Sequence, residues 1–441
     1  MRRHFASSQI ARLVAALAFF VVLAIPAQAA DRRAEETLST WYRMVLELVR
    51  HTATYSPPVA SRSFAYLGVT AWEAVASGDD GLETMAGQLN GLADAPDRMA
   101  GEHDEALVLH GAMTAAVNAF FGNTGPTGQR ALDAIERRLM ERLSDGVAPE
   151  IVQRSLAHGR EVAAHVIGWS QDDGGAVVEN MGFPLEFTLG QGPSAWVPTS
   201  LVAQQQLPLL PAWGANRPFA MPQGNACPLP PPPAYSEDPG SDFYREAKEV
   251  HDVKATLTDE QRMIARFWSD DPMLSPTPPG HWIAIAMQVL ETERADVAKA
   301  AETLALLGVT VADSFIGCWH SKYEYDLLRP ITYIRRHIDP KWEPILNTPP
   351  FPEYPSGHST QSGAAAAVLT HLFGENYAFS DATHEADGLP ARQYASFAEA
   401  AEEAAISRLY GGIHFRAAIE RGLDQGACIG AFATALETRV P

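Results

Sequence analysis

Three short segments in the last third of the 441-residue chain combine residue types that could grip an oxyanion. Lys322, six residues and Arg329-Pro330 form the first. Pro355-Ser356-Gly357-His358 opens a second segment. Ser407-Arg408, five residues and His414 form the third. A guanidinium binds two oxygens of a tetrahedral anion at once, and a lysine adds a compact charge. Each residue has an ordinary reading by itself. Lys322 could pair with Glu324 or Asp326, Arg329 and Arg408 could be solvated, and Ser356 could be a helix cap. His358 and His414 could be held by polar contacts near helix starts. Taken together and in this order, they predict a single anion pocket.

The surrounding pattern says how such a pocket would be assembled. Leu304, Leu307, Val311, Phe315 and Trp319 fall on one face of a helix predicted over Asp296–Trp319, and Lys322 continues that face. A lysine there needs an anionic partner, because an unpaired buried ammonium is costly. The proline-rich stretch 348–355 leads into a helix predicted over Gly357–Phe373. Its first N–H groups would point at an anion, which Gly357 allows to approach closely. Gly411-Gly412 ends the helix carrying Arg408 (Ala391–Tyr410), and His414 begins the next, Phe415–Thr438.

Further helical periodicity covers Glu35–His51, Ser61–Ala76, Glu105–Phe121, Gln129–Leu143 and Ile151–Trp169, then Asp242–Val253, Thr258–Trp268 and His281–Leu290. No run of alternating strands accompanies it, so the expected class is all-α. Residues 171–235 are rich in Gly and Pro but carry Phe183, Phe187, Trp196, Trp213 and Phe219. They read as an ordered crossover pinned by aromatics, between an N-terminal helical half (30–170) and a C-terminal half (236–441).

Residues 1–29 have the form of a secretory signal: Arg2 and Arg3, an apolar run from Leu13 to Ile25, then Ala27-Gln28-Ala29. That run is short for a membrane span, so a secreted or periplasmic protein without stable membrane insertion is expected. The formal charge is −20, and removing 1–29 with its three arginines would leave −23. Such a chain repels nucleic acid and anionic membrane. Cys227, Cys318 and Cys428 show no metal-binding spacing and permit at most one disulfide; Cys318 and Cys428, inside helical patterns, read as buried thiols.

The three segments together resemble the signature shared by vanadium-dependent haloperoxidases and type 2 phosphatidic acid phosphatases. Arg266-Phe267-Trp268-Ser269-Asp270-Asp271 with Thr277-Pro278-Pro279, Val311-Ala312-Asp313 ahead of Trp319, and Phe351-Pro352-Glu353-Tyr354-Pro355 resemble the soluble haloperoxidase branch. The likeness covers roughly residues 240–435, and implies helical bundles with a vanadate cofactor, or phosphate in the phosphatase reading. It implies that Lys322, Arg329 and Arg408 bind equatorial vanadate oxygens, assisted by the Ser356 hydroxyl and the Gly357 N–H. His414 would ligate vanadium, His358 would be the acid–base group, and Lys322 would polarise bound peroxide. Asp271, ahead of Asp270, would pair with Arg408, and Trp319 and Phe351 would line the halide side. The substrates implied are hydrogen peroxide and a halide or small organic acceptor. One position departs from the broad signature: the aspartate expected four residues after the second histidine is Ala418. Its loss weakens the phosphatase reading, whereas a backbone carbonyl could still hold the ring of a vanadium ligand. A secreted acid phosphatase with His414 as nucleophile, and a non-catalytic oxyanion-binding protein, are the alternatives.

Overall fold

Helices make up nearly all the regular structure, as the periodicity predicts. The structure, a computed structural model, describes residues 31–178, 183–184, 186–200, 207–271 and 274–440. The expected signal segment 1–29 lies outside them. Helix α1 (31–50) leads into α2 (Pro57–Ala76), α3 (Glu105–Phe120), α4 (Pro126–Ser144), α5 (Pro149–Trp169) and the short α6 (Gly175–Val178). After the crossover come α7 (Asp242–Thr256), α8 (Asp259–Phe267), α9 (Thr277–Glu293), α10 (Val297–Tyr325), α11 (Pro330–His337), α12 (Gly357–Phe373), α13 (Phe397–Tyr410) and α14 (Arg416–Thr434). Helix starts follow the local chemistry. Thr258 and Gln261 form a reciprocal capping box, and the Asp296 carboxylate accepts from the Lys299 N–H at 2.7 Å.

Three differences from expectation bear on the site. Helix α10 runs on to Tyr325, so Lys322 sits within its last turn. Helix α11 has eight residues, too few for periodicity to reveal, although Pro330 suits a helix start. Residues 392–394, predicted as helix, form strand β2 (Arg392–Tyr394) antiparallel to β1 (Phe379–Asp381). The helix begins only after Ser396, whose hydroxyl caps the Glu399 N–H at 3.1 Å.

Helix α10 is the axis of the molecule, packed against α2, α12 and α14. It is long and apolar enough to cross a membrane, yet that apolar window is entirely buried in protein. The main core draws on both sides of the crossover, from Trp41 and Trp72 to Trp282, Leu304 and Val368. A smaller core of Phe243, Tyr333, Leu409, Phe415 and Ala418 supports the segments that carry the second arginine and the last histidine.

The crossover is fastened where its described residues carry aromatics. Trp196, Trp213 and Phe219 are buried, whereas Phe183 is exposed. The Asp313 carboxylate of α10 accepts the backbone N–H groups of Phe219, Ala220 and Met221 at 2.6, 2.9 and 2.7 Å. Cys227 and Cys428 form a disulfide between the crossover and α14, which corrects the reading of Cys428 as a free thiol; Cys318 is the free, buried one. Helical periodicity located Cys428 on a helix but carried no information on which segment would pack across it.

Candidate active site

The three segments converge. The end of α10 supplies Lys322, the cap before α11 supplies Arg329, the start of α12 supplies Ser356, Gly357 and His358, and α13 with the turn after it supplies Arg408 and His414. Gly412 makes that turn possible, with φ of 79°, a left-handed conformation that glycine adopts without strain. His414 lies in the turn itself, two residues before α14.

Lys322, Arg329 and Arg408 are 0%, 0% and 2% exposed, and none forms an ion pair among the described residues. Lys322 does not pair with Glu324 or Asp326. Its ammonium donates to the carbonyls of Pro352 and Glu353, both at 2.9 Å, and of Pro355. Arg329 donates through Nε to the Phe351 carbonyl at 2.9 Å and through Nη1 to the Ile413 carbonyl at 3.0 Å. Arg408 donates through Nη1 to the Trp268 carbonyl. Two buried donors have no protein partner, Arg329 Nη2 and Arg408 Nε, and His358 Nε2 is unpartnered as well. Burial pushes Lys322 down to about 7 and both arginines down to about 10, outweighing the opposing pull of Glu353 on Lys322 and Arg329 and of Asp270 and Asp271 on Arg408.

His414 is held from two sides. Arg329 Nη1 lies 3.0 Å from its Nε2, and Glu353 Oε1 lies 2.8 Å from its Nδ1. Because a guanidinium can only donate, Nε2 is the acceptor and Nδ1 carries the proton to Glu353. The same Glu353 oxygen accepts the Phe415 N–H at 2.8 Å. A carboxylate therefore holds this ring, not the backbone carbonyl expected from the missing aspartate. Ala418, fully buried, accepts the Ser356 N–H on its carbonyl at 3.0 Å instead. Glu353 is the residue that sequence reasoning missed. Its signal was an acid set between Pro352 and Tyr354-Pro355 in an otherwise apolar stretch.

Ser356 caps α12, accepting the Ser359 N–H at 3.3 Å. A Cβ built on Gly357 would meet the rings of Trp319 and Phe315 and the Cys318 sulfur at 3.8–4.0 Å, ordinary contact distances, so the glycine is backed by apolar groups. Phe351, Gly357 and His358 are partly exposed and mark the mouth of the pocket. Phe351 and Trp319 meet along one wall with ring centres 4.8 Å apart and planes tilted by 49°, and Lys322 Nζ lies 5.2 Å and Arg329 Cζ 5.0 Å from the Phe351 ring centre. Neither Asp270 nor Asp271 bonds to Arg408. Asp270 is buried and lies 3.9 Å from His358 Nε2, whereas Asp271 is partly exposed. Burial and the surrounding cations hold the rings of His358 and His414 well below their usual range, so both are neutral near neutral pH.

Comparison with known proteins agrees with this arrangement. The family described as the VCPO second helical-bundle domain matches residues 302–440. The chain is 31% identical over 132 residues to the vanadium chloroperoxidase of Curvularia inaequalis, a match spanning 24% of this chain and 22% of that protein's length. The fold of a bacterial vanadium-dependent chloroperoxidase in its holo form superposes with a TM-score of 0.67 at 17% identity, covering 87% of this chain and 92% of that one. The structure of the first bacterial vanadium-dependent iodoperoxidase superposes with a TM-score of 0.84 at 38% identity, over 92% of this chain and 97% of that one. With that identity sustained across both chains, on a fold that gathers the signature residues into one buried pocket, the chain belongs to the vanadium-dependent haloperoxidase family.

Proposed function

We propose that the chain is a vanadium-dependent haloperoxidase that oxidises halide with hydrogen peroxide at a vanadate bound among Lys322, Arg329, Ser356, Gly357, Arg408 and His414. The observation that carries the proposal is three buried cations without an ion pair, two of them with an unpartnered N–H. Leaving such donors unmet costs about 1–3 kcal/mol each or more, and an oxyanion meets them. Vanadate fits this donor set. When bound, it supplies a Lewis-acid centre that activates peroxide toward halide without a change in its own oxidation state.

The chain's residues have separate tasks in this reading. His414, with its proton fixed on Nδ1 by Glu353, presents the Nε2 lone pair as the metal ligand. Arg329 and Arg408 bind oxygens, and Lys322 adds positive charge from the wall. The Ser356 hydroxyl and the Gly357 N–H complete the cradle. His358, neutral and unpartnered at Nε2, can accept a proton there and return it. Trp319 and Phe351 line the side from which halide approaches and keep that wall dry. Iodide is the first halide to test, given the 38% identical iodoperoxidase.

Export supports the same reading, because the Cys227–Cys428 disulfide suits an oxidising compartment and residues 1–29 have the form of a secretory signal. Parallel assays test the proposal. Vanadate-loaded protein should oxidise iodide or bromide with peroxide, and vanadate-free protein should hydrolyse phosphate esters poorly. Strong ester hydrolysis without halide oxidation would replace it with the phosphatase reading, and tight anion binding without turnover would replace it with a storage role.

A further inference from the structure

Behind His358, a second cluster of ionisable groups takes no part in the chemistry above. Asp270, His281 and His384 bring a carboxylate oxygen and two ring nitrogens within 4.8 Å of one another, all buried. Asp270 follows α8, His281 lies in the first turns of α9, and His384 follows β1. His281 Nδ1 is 3.0 Å from Asp270 Oδ1, and His384 Nε2 is 3.4 Å from the same oxygen. Each histidine turns its other nitrogen to a separate carboxylate: His281 Nε2 to Asp381 at 2.8 Å and His384 Nδ1 to Asp387 at 3.3 Å. His384 Nε2 is buried and has no hydrogen-bond partner.

We propose that Asp270, His281 and His384 form a binding site for a divalent first-row transition ion, zinc or ferrous iron. A carboxylate behind a metal-binding histidine fixes the proton on the far nitrogen and aims the near lone pair at the ion. Here both histidines have such a carboxylate, and both near nitrogens face the same third carboxylate. Two imidazoles and one carboxylate suit zinc or iron, whereas magnesium and calcium demand oxygen ligands. The walls are aromatic: Trp268 stacks on His281 at 4.4 Å, and Phe267 meets His384 edge-on at 5.1 Å. A remaining coordination position faces His358, whose Nε2 is 3.9 Å from Asp270 Oδ2 and is itself unpartnered.

The competing occupant is a proton. Despite burial, Asp270 and Asp381 raise the His281 ring to about 10, so the ion must displace that proton on entry. A protonated His281 accounts for its own two contacts but leaves His384 Nε2 with only a 3.4 Å approach to Asp270 that forms no hydrogen bond. The ion would fasten α9 and the segment after β1 to residues 268–270. That segment offers the Trp268 carbonyl to Arg408 and the Asp270 carboxylate to His358, so the ion would position the pocket from outside it.

The test is metal counting on chelator-treated, refilled protein. Incubation with Zn2+ or, anaerobically, Fe2+ should leave one ion per chain after desalting, and Mg2+ should leave none. Co2+ in the same site should show the visible absorption of a low-symmetry nitrogen and oxygen site. His384→Ala should weaken the ion's affinity by about tenfold or more, and the control His371→Ala, at an exposed histidine, should not. Should His384→Ala fail to fold, the partly exposed Asp387→Asn decides, with an expected loss of about 10–100-fold. Folded wild-type protein that retains no stoichiometric ion, or variants that bind it as tightly as wild type, would overturn the proposal.

Discussion

Arg408 reaches the pocket with one N–H on the Trp268 carbonyl and its Nε without a partner, so an anion is what completes it. Arg408→Ala should weaken vanadate binding by about 1.5–3 kcal/mol, the worth of a charge-assisted hydrogen bond, as read by titration calorimetry. An unchanged affinity would remove the arginine from the pocket. The two histidines separate on the same assay. His358→Ala should bind vanadate normally and lose roughly 10²–10⁴ in turnover, whereas His414→Ala should lose the anion. Glu353 acts through His414. Its replacement by alanine frees the Nδ1–H and the Phe415 N–H together, and vanadate affinity should fall by about 10–100-fold.

At the scale of elements, the pocket depends on how closely α12 and α14 approach, since one begins at the Ser356 cap and the other follows directly from His414. Glycines face the partner helix along this contact. A Cβ added at Gly426 would lie 2.1 Å from the Thr360 carbonyl oxygen and 2.7 Å from the Ala364 nitrogen, both backbone atoms that cannot swing away. Gly426→Ala should therefore push the helices apart and destabilise the protein by about 1–3 kcal/mol in urea unfolding. Vanadate affinity should fall with it, because the cap and the histidine move relative to each other. Wild-type stability in this variant would show that the two helices do not press on each other at Gly426.

Across the whole molecule, the long crossover is held at its far end by Cys227–Cys428, a link between positions 201 residues apart. Cys428→Ser should lower stability by about 2–5 kcal/mol, measured under non-reducing conditions against wild type. Another global term comes from Glu246 on α7. Burial, with Glu249 and Glu420 nearby, raises it to about 7 against the Ala417 N–H and Arg416. A carboxyl raised on folding binds its proton more tightly in the native state. Its contribution is therefore complete below about pH 4.3, the unfolded value, and is lost as pH rises through about 7. Glu246→Gln should melt higher than wild type above neutral pH and match it near pH 4. The reverse order would contradict the direction of the shift.

The pocket's composition was legible in the sequence because each segment is local. Lys322 continues the face marked by Leu304 and Trp319, Ser356 follows a proline run, and Gly411-Gly412 stands between Arg408 and His414. Helical periodicity likewise revealed the long core helices, since an amphipathic stripe is a property of neighbouring residues. What only the tertiary structure decided are the partnerships between distant segments. Glu353 reaches His414 across 61 positions, His281 joins Asp381 across 100, and Cys227 finds Cys428 across 201. None of these distances has a periodic signature. Each acid or thiol looks like an ordinary residue until the packing of α10, α12 and α14 sets what lies opposite it.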